Sequence, residues 1–188
     1  AYDRRQVREP SVRGFLSIIE KQFPKQSLYL FELLQNSVDD GARRVRFEVD
    51  GDALVVRHDG RRFTPLDVIG LASVGLSTKA GRTLGFMGVG FKAVYRRFAC
   101  VTIRDDTFAF RFEEPPSSGP SPFAANSGAA STPRRPGRPG SDKTASSGWV
   151  MLPHWDESGA PLAADAGCEF VLSRPRGGVA AVRQDMAW

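Results

Sequence analysis

The chain has 188 residues, 41% of them hydrophobic, and carries a net charge of +5 at neutral pH with a pI near 9.6. That suits one domain with a substantial apolar core, and no apolar run is long enough to span a membrane, so no membrane partner is expected. No signal-peptide pattern is present either, which makes a cytoplasmic location the default expectation. The sequence opens on Ala1 rather than Met and reads as a domain taken from a longer protein.

In chain order, residues 1–10 form a polar amino-terminal arm. Ser11–Phe23 has helical spacing through Phe15, Leu16, Ile18 and Ile19 and stops before Pro24. Ser27 is placed to cap a second helix, in which Leu30, Leu33, Leu34 and Val38 form an apolar stripe. Gly41 is a good C-terminal cap for it. Val45, Phe47 and Val49 alternate, Asp50-Gly51-Asp52 turns, and Leu54–Val56 completes a hairpin. Thr64-Pro65-Leu66-Asp67 has the pattern of a capping box with proline at the first helical position, predicting a short helix through Ala72.

Phe91–Tyr95 is an apolar, helix-like run that follows a glycine-rich turn. Strands fit Cys100–Arg104 and Thr107–Phe112, joined at Asp105-Asp106. Pro, Gly and Ser make up more than half of residues 115–148, where Phe123 is the only large apolar side chain. Such a stretch cannot offset the entropy of ordering and is expected to be a disordered insertion. Strands resume at Trp149–Leu152 and Glu169–Leu172, with His154 in a loop. The order predicts an α/β (α+β) two-layer sandwich, with helices on one face of a mixed, mainly antiparallel sheet.

Three groups of residues carry chemistry. On the second helix Glu32, Asn36 and Asp39 are spaced i, i+4 and i+7, so one acid, one amide and a second acid share a face. A carboxylate that orients water beside an amide oxygen that holds a hard cation points to magnesium-nucleotide chemistry. Gly85-Phe86-Met87-Gly88-Val89-Gly90-Phe91-Lys92 is a glycine-rich turn whose backbone can approach a polyphosphate closely. Its GxxGxG spacing matches neither a dinucleotide fingerprint nor a P-loop. Cys100 and Cys168 lie far apart and read as buried reduced thiols; with His58 and His154 they offer no short-spaced zinc set. Arg4-Arg5, Arg43-Arg44-Val45-Arg46, Arg61-Arg62 and Arg134-Arg135-Pro136-Gly137-Arg138 are basic clusters without interleaved aromatics. They favour solvated surface over a base-stacking platform and leave nucleic acid an open partner.

In order and spacing these pieces resemble the GHKL ATPases, the superfamily of gyrase B, histidine kinases and MutL. The wording is most similar to the sacsin-type and MORC/MutL-type branch, through ELLQNSVDDGA, HDGRRFTPLDVIGL, SVGLSTKAG, LGFMGVGFKAVY and a late GCEFVLS. The resemblance is strong over residues 27–112 and looser over 148–173. It implies a single ATP-binding domain over 1–188 with the Bergerat fold and with ATP and magnesium as cofactors. Asn36 then matches the magnesium ligand, Glu32 the general base that orients water, and Asp39 a support for the site floor. Gly85, Gly88 and Gly90, with the backbone of Phe86, Met87, Val89 and Phe91, would wrap the phosphates. Lys92 would either reach a phosphate or face solvent. Residues 73–85 match a mobile ATP lid, with Gly75 and Gly81 as hinges and Ser77, Thr78 and Lys79 as donors to a γ-phosphate.

The chain departs from the family in two places. Where the family has Asp-x-Gly-x-Gly for adenine, this chain has His58-Asp59-Gly60-Arg61-Arg62. His58 would have to accept from the base as a neutral imidazole, or Asp59 would take over with a shifted turn. Gly167-Cys168 stands where the family has Gly-Thr, and a thiol is a poor substitute for a hydroxyl that bonds water near the base. The implied function is an ATP-binding, slowly ATP-hydrolysing domain, feeble in isolation, that drives a conformational or dimerisation switch in a larger protein. Its expected partners are further domains of the same chain and, with nucleotide, a second copy. The alternative is a nucleotide-gated interaction module without meaningful hydrolysis. A histidine-kinase reading ranks lower, because it gives Glu32 no role and no phosphoacceptor helix precedes the site.

Overall fold

Helix α1, Leu28–Asp39, begins at Ser27, which sits in helical geometry and makes no side-chain cap, contrary to the expectation for that serine. Its other end is a full Schellman closure: Gly41 at φ 77 lets its N–H reach Val38 O, while the Ala42 N–H reaches Ser37 O. Tyr29, Leu30, Leu33 and Ser37 are the buried positions of this helix. The predicted stripe is therefore rotated by part of a turn, and Val38 stands 58% exposed. Ser37 is tolerated inside because its hydroxyl donates to Leu33 O at 2.8 Å.

The structure, a computed structural model, describes residues 27–73, 90–115, 150, 152–156, 162 and 165–187. The expected arm and first helix, nearly all of the lid and of the insertion, and the glycines before Gly90 lie outside the described residues. After α1 come β1 (Val45–Asp50), β2 (Ala53–His58), α2 (Pro65–Leu71), a single 3-10 turn (Gly90–Ala93) and α3 (Val94–Arg97). They are followed by β3 (Phe98–Arg104), β4 (Ala109–Glu113), β5 (His154–Trp155), β6 (Cys168–Pro175) and α4 (Gly178–Met186). The six strands form one sheet in the order β1-β2-β6-β3-β4-β5, and every described pairing is antiparallel.

The β1–β2 hairpin closes as predicted, with Asp50 opposite Ala53 and Gly51 at φ 57 in the turn. Thr64 makes the expected capping box with Asp67. Two expectations fail. His154 lies in β5 rather than a loop, and Leu152, assigned to a strand from the sequence, lies outside one. Helix α4 was not anticipated from the sequence; it follows Gly177 and begins at Gly178. Both adopt positive φ, 84 and 73, and turn the chain out of β6 into the helix.

The register aligns one face of the sheet as a continuous apolar layer. Leu54, Val56 and His58 of β2 stand opposite Leu172, Phe170 and Cys168 of β6, and Val101 and Ile103 of β3 meet Leu172 and Phe170 from the other side. The helices pack on this face, so that Tyr29 meets Phe98 edge-on at 5.4 Å and Phe91 meets Phe170 at 6.0 Å. The result is a two-layer α+β sandwich with its core between helices and sheet. Arg97 of α3 closes one end, its guanidinium forked onto Asp185 of α4 at 2.8 and 3.1 Å.

The opposite face carries charge. Arg57 of β2 and Arg104 of β3 both pair with Glu169 of β6, which is 1% exposed, and Arg57 also donates to Glu48 at 2.8 Å. No described helix is long and apolar enough to cross a membrane. Cys100 and Cys168 are both buried and free.

Candidate functional site

Packing of α1 against the Gly90 turn brings the first two groups of residues together. A Cβ placed on Gly90 would meet the Glu32 carboxylate, so the bare backbone lies directly against the end of that side chain. Glu32 is half-buried, and burial raises its pKa. Asn36 lies one turn further along the same helix, also half-buried, whereas Asp39 is exposed. The structure thus joins Glu32, Asn36 and Gly90 and leaves Asp39 at the rim. Gly85, Phe86, Met87, Gly88 and Val89 lie outside the described residues, as do Ser77, Thr78 and Lys79.

Lys92 neither reaches toward a phosphate nor faces solvent. It is 1% exposed, and its Nζ donates to Leu71 O at 2.5 Å and to Val150 O at 3.2 Å. Tyr95 and Phe112 lie below the amine at 5.9 and 6.0 Å. The 3-10 turn directs the side chain inward, where it ties the end of α2 to the segment before β5. Burial lowers its pKa to about 7. Phe91 is buried as well and belongs to the core.

The His58-Asp59-Gly60 turn is held by hydrogen bonds within the protein. His58 ends β2, is 3% exposed and stacks on Phe170 at 5.8 Å. Its Nδ1 accepts the Gly60 N–H at 3.1 Å, so the single acceptor of a neutral ring is engaged by its own turn. Asp59 accepts the backbone N–H groups of Arg43 and Arg44 at 2.8 and 2.9 Å and the Arg44 Nε at 3.2 Å. Those backbone donors hold its carboxyl near pKa 2. Both candidate adenine acceptors are therefore committed to stitching the turn to the segment after α1.

Gly60 sits under that segment with no room for a side chain, since a Cβ would lie 2.9 Å from Asp40 O. Gly167 backs the same turn: its N–H donates to His58 O at 2.8 Å, and a Cβ there would strike Gly60 O at 2.5 Å. Cys168 follows, its thiol donating to Arg61 O at 3.4 Å rather than to anything beside Glu32. Burial, then the charges of Asp105 and Asp40, push that thiol up to about 12.

Sequence reasoning missed Arg61 and Asp105. Arg61 forks onto Asp67 at 2.7 and 3.1 Å and reaches Asp40 at 3.2 Å, locking the end of α1 to the start of α2. Asp40 is accordingly a paired group. Burial alone would raise the Asp67 carboxyl, but hydrogen bonds from Arg61 and Thr64 outweigh it and hold it well below its ordinary range. Asp105 accepts three backbone N–H groups, from Phe63, Thr107 and Phe108, at 2.6–2.7 Å. Each role is only partly local: Thr107 and Phe108 adjoin Asp105 and Asp67 follows Arg61 closely, whereas Phe63 and Asp40 come from distant segments. Among the described residues no group of three or more His, Cys, Asp or Glu side chains is placed to hold a metal ion.

No family model matches the chain. Its sequence is 28% identical over 108 residues to Protein NO VEIN of Arabidopsis thaliana, a match covering 54% of this chain and 4% of that protein. The chain therefore spans only a small fraction of the length of that curated relative. Among solved structures it is similar to the crystal structure of the N-terminal domain of a DNA repair protein, with a TM-score of 0.43 and 16% identity over 84% of this chain and 38% of that one.

Proposed function

We propose that the chain is an ATP-binding, slowly ATP-hydrolysing domain of the GHKL type, acting as a nucleotide-driven switch within a larger protein. The observation that carries this reading is the bare backbone of Gly90 against the half-buried Glu32 carboxylate, with Asn36 one helical turn away. A side chain at Gly90 would fill the place where a phosphate can approach both backbone and acid. Glu32 would orient a water and take its proton, and burial moves its pKa toward the pH at which a base works best. The Asn36 side-chain oxygen is a hard donor that fits magnesium, an ion that needs only one or two protein ligands beside phosphates. Magnesium bound there with ATP would neutralise phosphate charge.

His58 and Asp59 have their acceptors engaged within the protein, so the reading rests on phosphate recognition more than on the base. The test is thermal unfolding of the full chain with and without magnesium-ATP. Ligand at about a hundred times its dissociation constant adds roughly 2.7 kcal/mol, which for this size raises Tm by about 5–10 °C. Asn36→Ala should abolish the rise. Glu32→Gln should keep it while lowering turnover about 100-fold or more. No rise with any nucleotide would sink the proposal. Equal turnover in wild type and Glu32→Gln would replace it with a nucleotide-gated interaction module, a reading that the basic surface beside the His58 turn favours.

A further inference from the structure

A cleft of about 360 Å³ opens beside the same turn, between the segment after α1, the facing ends of β1 and β2, and the residues before β6. Arg43, Arg44, Arg46 and Arg57 line it, against two acids, Asp59 and Asp165. The acids do not neutralise the arginines, either in number or in geometry. The Arg43 guanidinium has no partner among the described residues, and only its backbone N–H is engaged, by Asp59. Arg46 makes only long pairs, 3.7 Å to Glu48 and 3.8 Å to Asp165, with 58% of its side chain exposed. Arg44 reaches Asp59 at 3.2 Å with 71% of its side chain in water. Exposed pairs of this kind are worth little, so an incoming anion can replace them at small cost. Arg57 is different: held by Glu48 and Glu169 at 2.8 and 2.6 Å, it is a fixed wall of the cleft.

We infer that this cleft binds the phosphodiester backbone of a nucleic acid, independently of base sequence. Guanidinium forks match phosphate oxygens two at a time, and among the described residues the cations lining the cleft are all arginines. Three exposed cations on one loop-and-strand segment exceed what a single phosphate needs and suit a chain of them. Among the described residues His58 is the one ring that lines the cleft, and it is stacked on Phe170, so they offer no aromatic face for a base. Backbone contacts of this kind fix position and carry no sequence information. The inference does not rest on the ATP reading, since the cleft shares only the His58–Asp59 turn with that site.

The test is fluorescence anisotropy of the full chain with a labelled oligo-dT and a labelled duplex, titrated across a range of potassium chloride, for wild type and the double variant Arg43→Ala/Arg46→Ala. Both side chains are exposed, so the variant should unfold within a degree or two of wild type. Wild type should bind at low salt with affinity falling steeply as salt rises, because bound counterions are released. The variant should bind about tenfold more weakly, with a log–log salt slope reduced by about 2. Unchanged affinity and slope in the variant, or no binding by wild type, overturns the inference. Competition by polyglutamate as effective as that by unlabelled DNA also overturns it and points to an acidic peptide instead. Magnesium-ATP stabilisation measured on the same variant keeps the two readings separate: its loss in wild type and variant alike refutes the nucleotide site and leaves the cleft standing.

Discussion

The two faces of the sheet bury their residues by opposite means, and β6 shows both in alternate positions. Toward the helices it points Cys168, Phe170 and Leu172, which disappear into apolar packing. On the other side its Glu169 is as buried as any of them, yet what encloses it is Arg57 and Arg104. Apolar burial leaves few charges, so it shifts an isolated ionisable group there, raising the Glu32 carboxyl and lowering the Lys92 amine. Charge burial pairs its ions with one another. The proposed nucleotide site belongs to the first regime and the arginine cleft begins in the second. A face that must tune one acid excludes ions, whereas a face that attracts an anion accumulates cations and holds them with sparse acids.

The largest expected effect is on the apolar side. Leu172→Ala removes a side chain with no exposure and should cost about 2–5 kcal/mol, with little dependence on salt, as read from urea denaturation. Glu169→Gln leaves two arginines facing each other across β6 and should cost about 3 kcal/mol, the low end for a broken buried pair, because both guanidiniums keep contact with water. Its loss should shrink in molar salt. If the two variants respond to salt alike, the distinction between the faces is wrong.

The most gradual effect is a pH dependence carried by Lys92. Its folded pKa is lowered to about 7, below the value near 10.5 expected when unfolded, so between those limits the unfolded chain binds more protons. Stability from this group therefore rises with pH across that window, by at most about 1.4 kcal/mol per unit. Cys168 acts oppositely: its folded pKa is raised to about 12, so its contribution falls as pH climbs above the ordinary thiol range. The difference between wild type and Lys92→Met isolates the lysine. A flat difference curve from pH 7 to 10 would show that the buried amine stays charged on its two carbonyls.

Much of the fold was legible because its signals are local. Alternation in β1, the Gly51 turn, the Thr64 capping box and the Gly41 helix end each depend on a few neighbouring residues, and the structure has them where the sequence put them. The helical spacing of Glu32 and Asn36 was local too. That Gly90 would meet Glu32 was not, for it depends on how α1 packs against a turn nearly sixty residues on. The hydrogen-bond partners of His58, Asp59, Lys92 and Cys168 were not legible in the sequence either. Each is a polar side chain whose partner was chosen by packing: Gly60 and Phe170, the Arg43–Arg44 backbone, two carbonyls, and Arg61 O.

The sequence by itself determined which residue types the protein has to work with and where helix α1, the β1–β2 hairpin and helix α2 lie. It also determined the periodicity that gives the sheet one apolar face. The tertiary structure alone decided which polar groups remain available for a ligand. Hydrogen bonding between segments far apart in the chain is settled only when the core brings them within 3 Å, and a donor or acceptor engaged in that way is no longer offered to anything else.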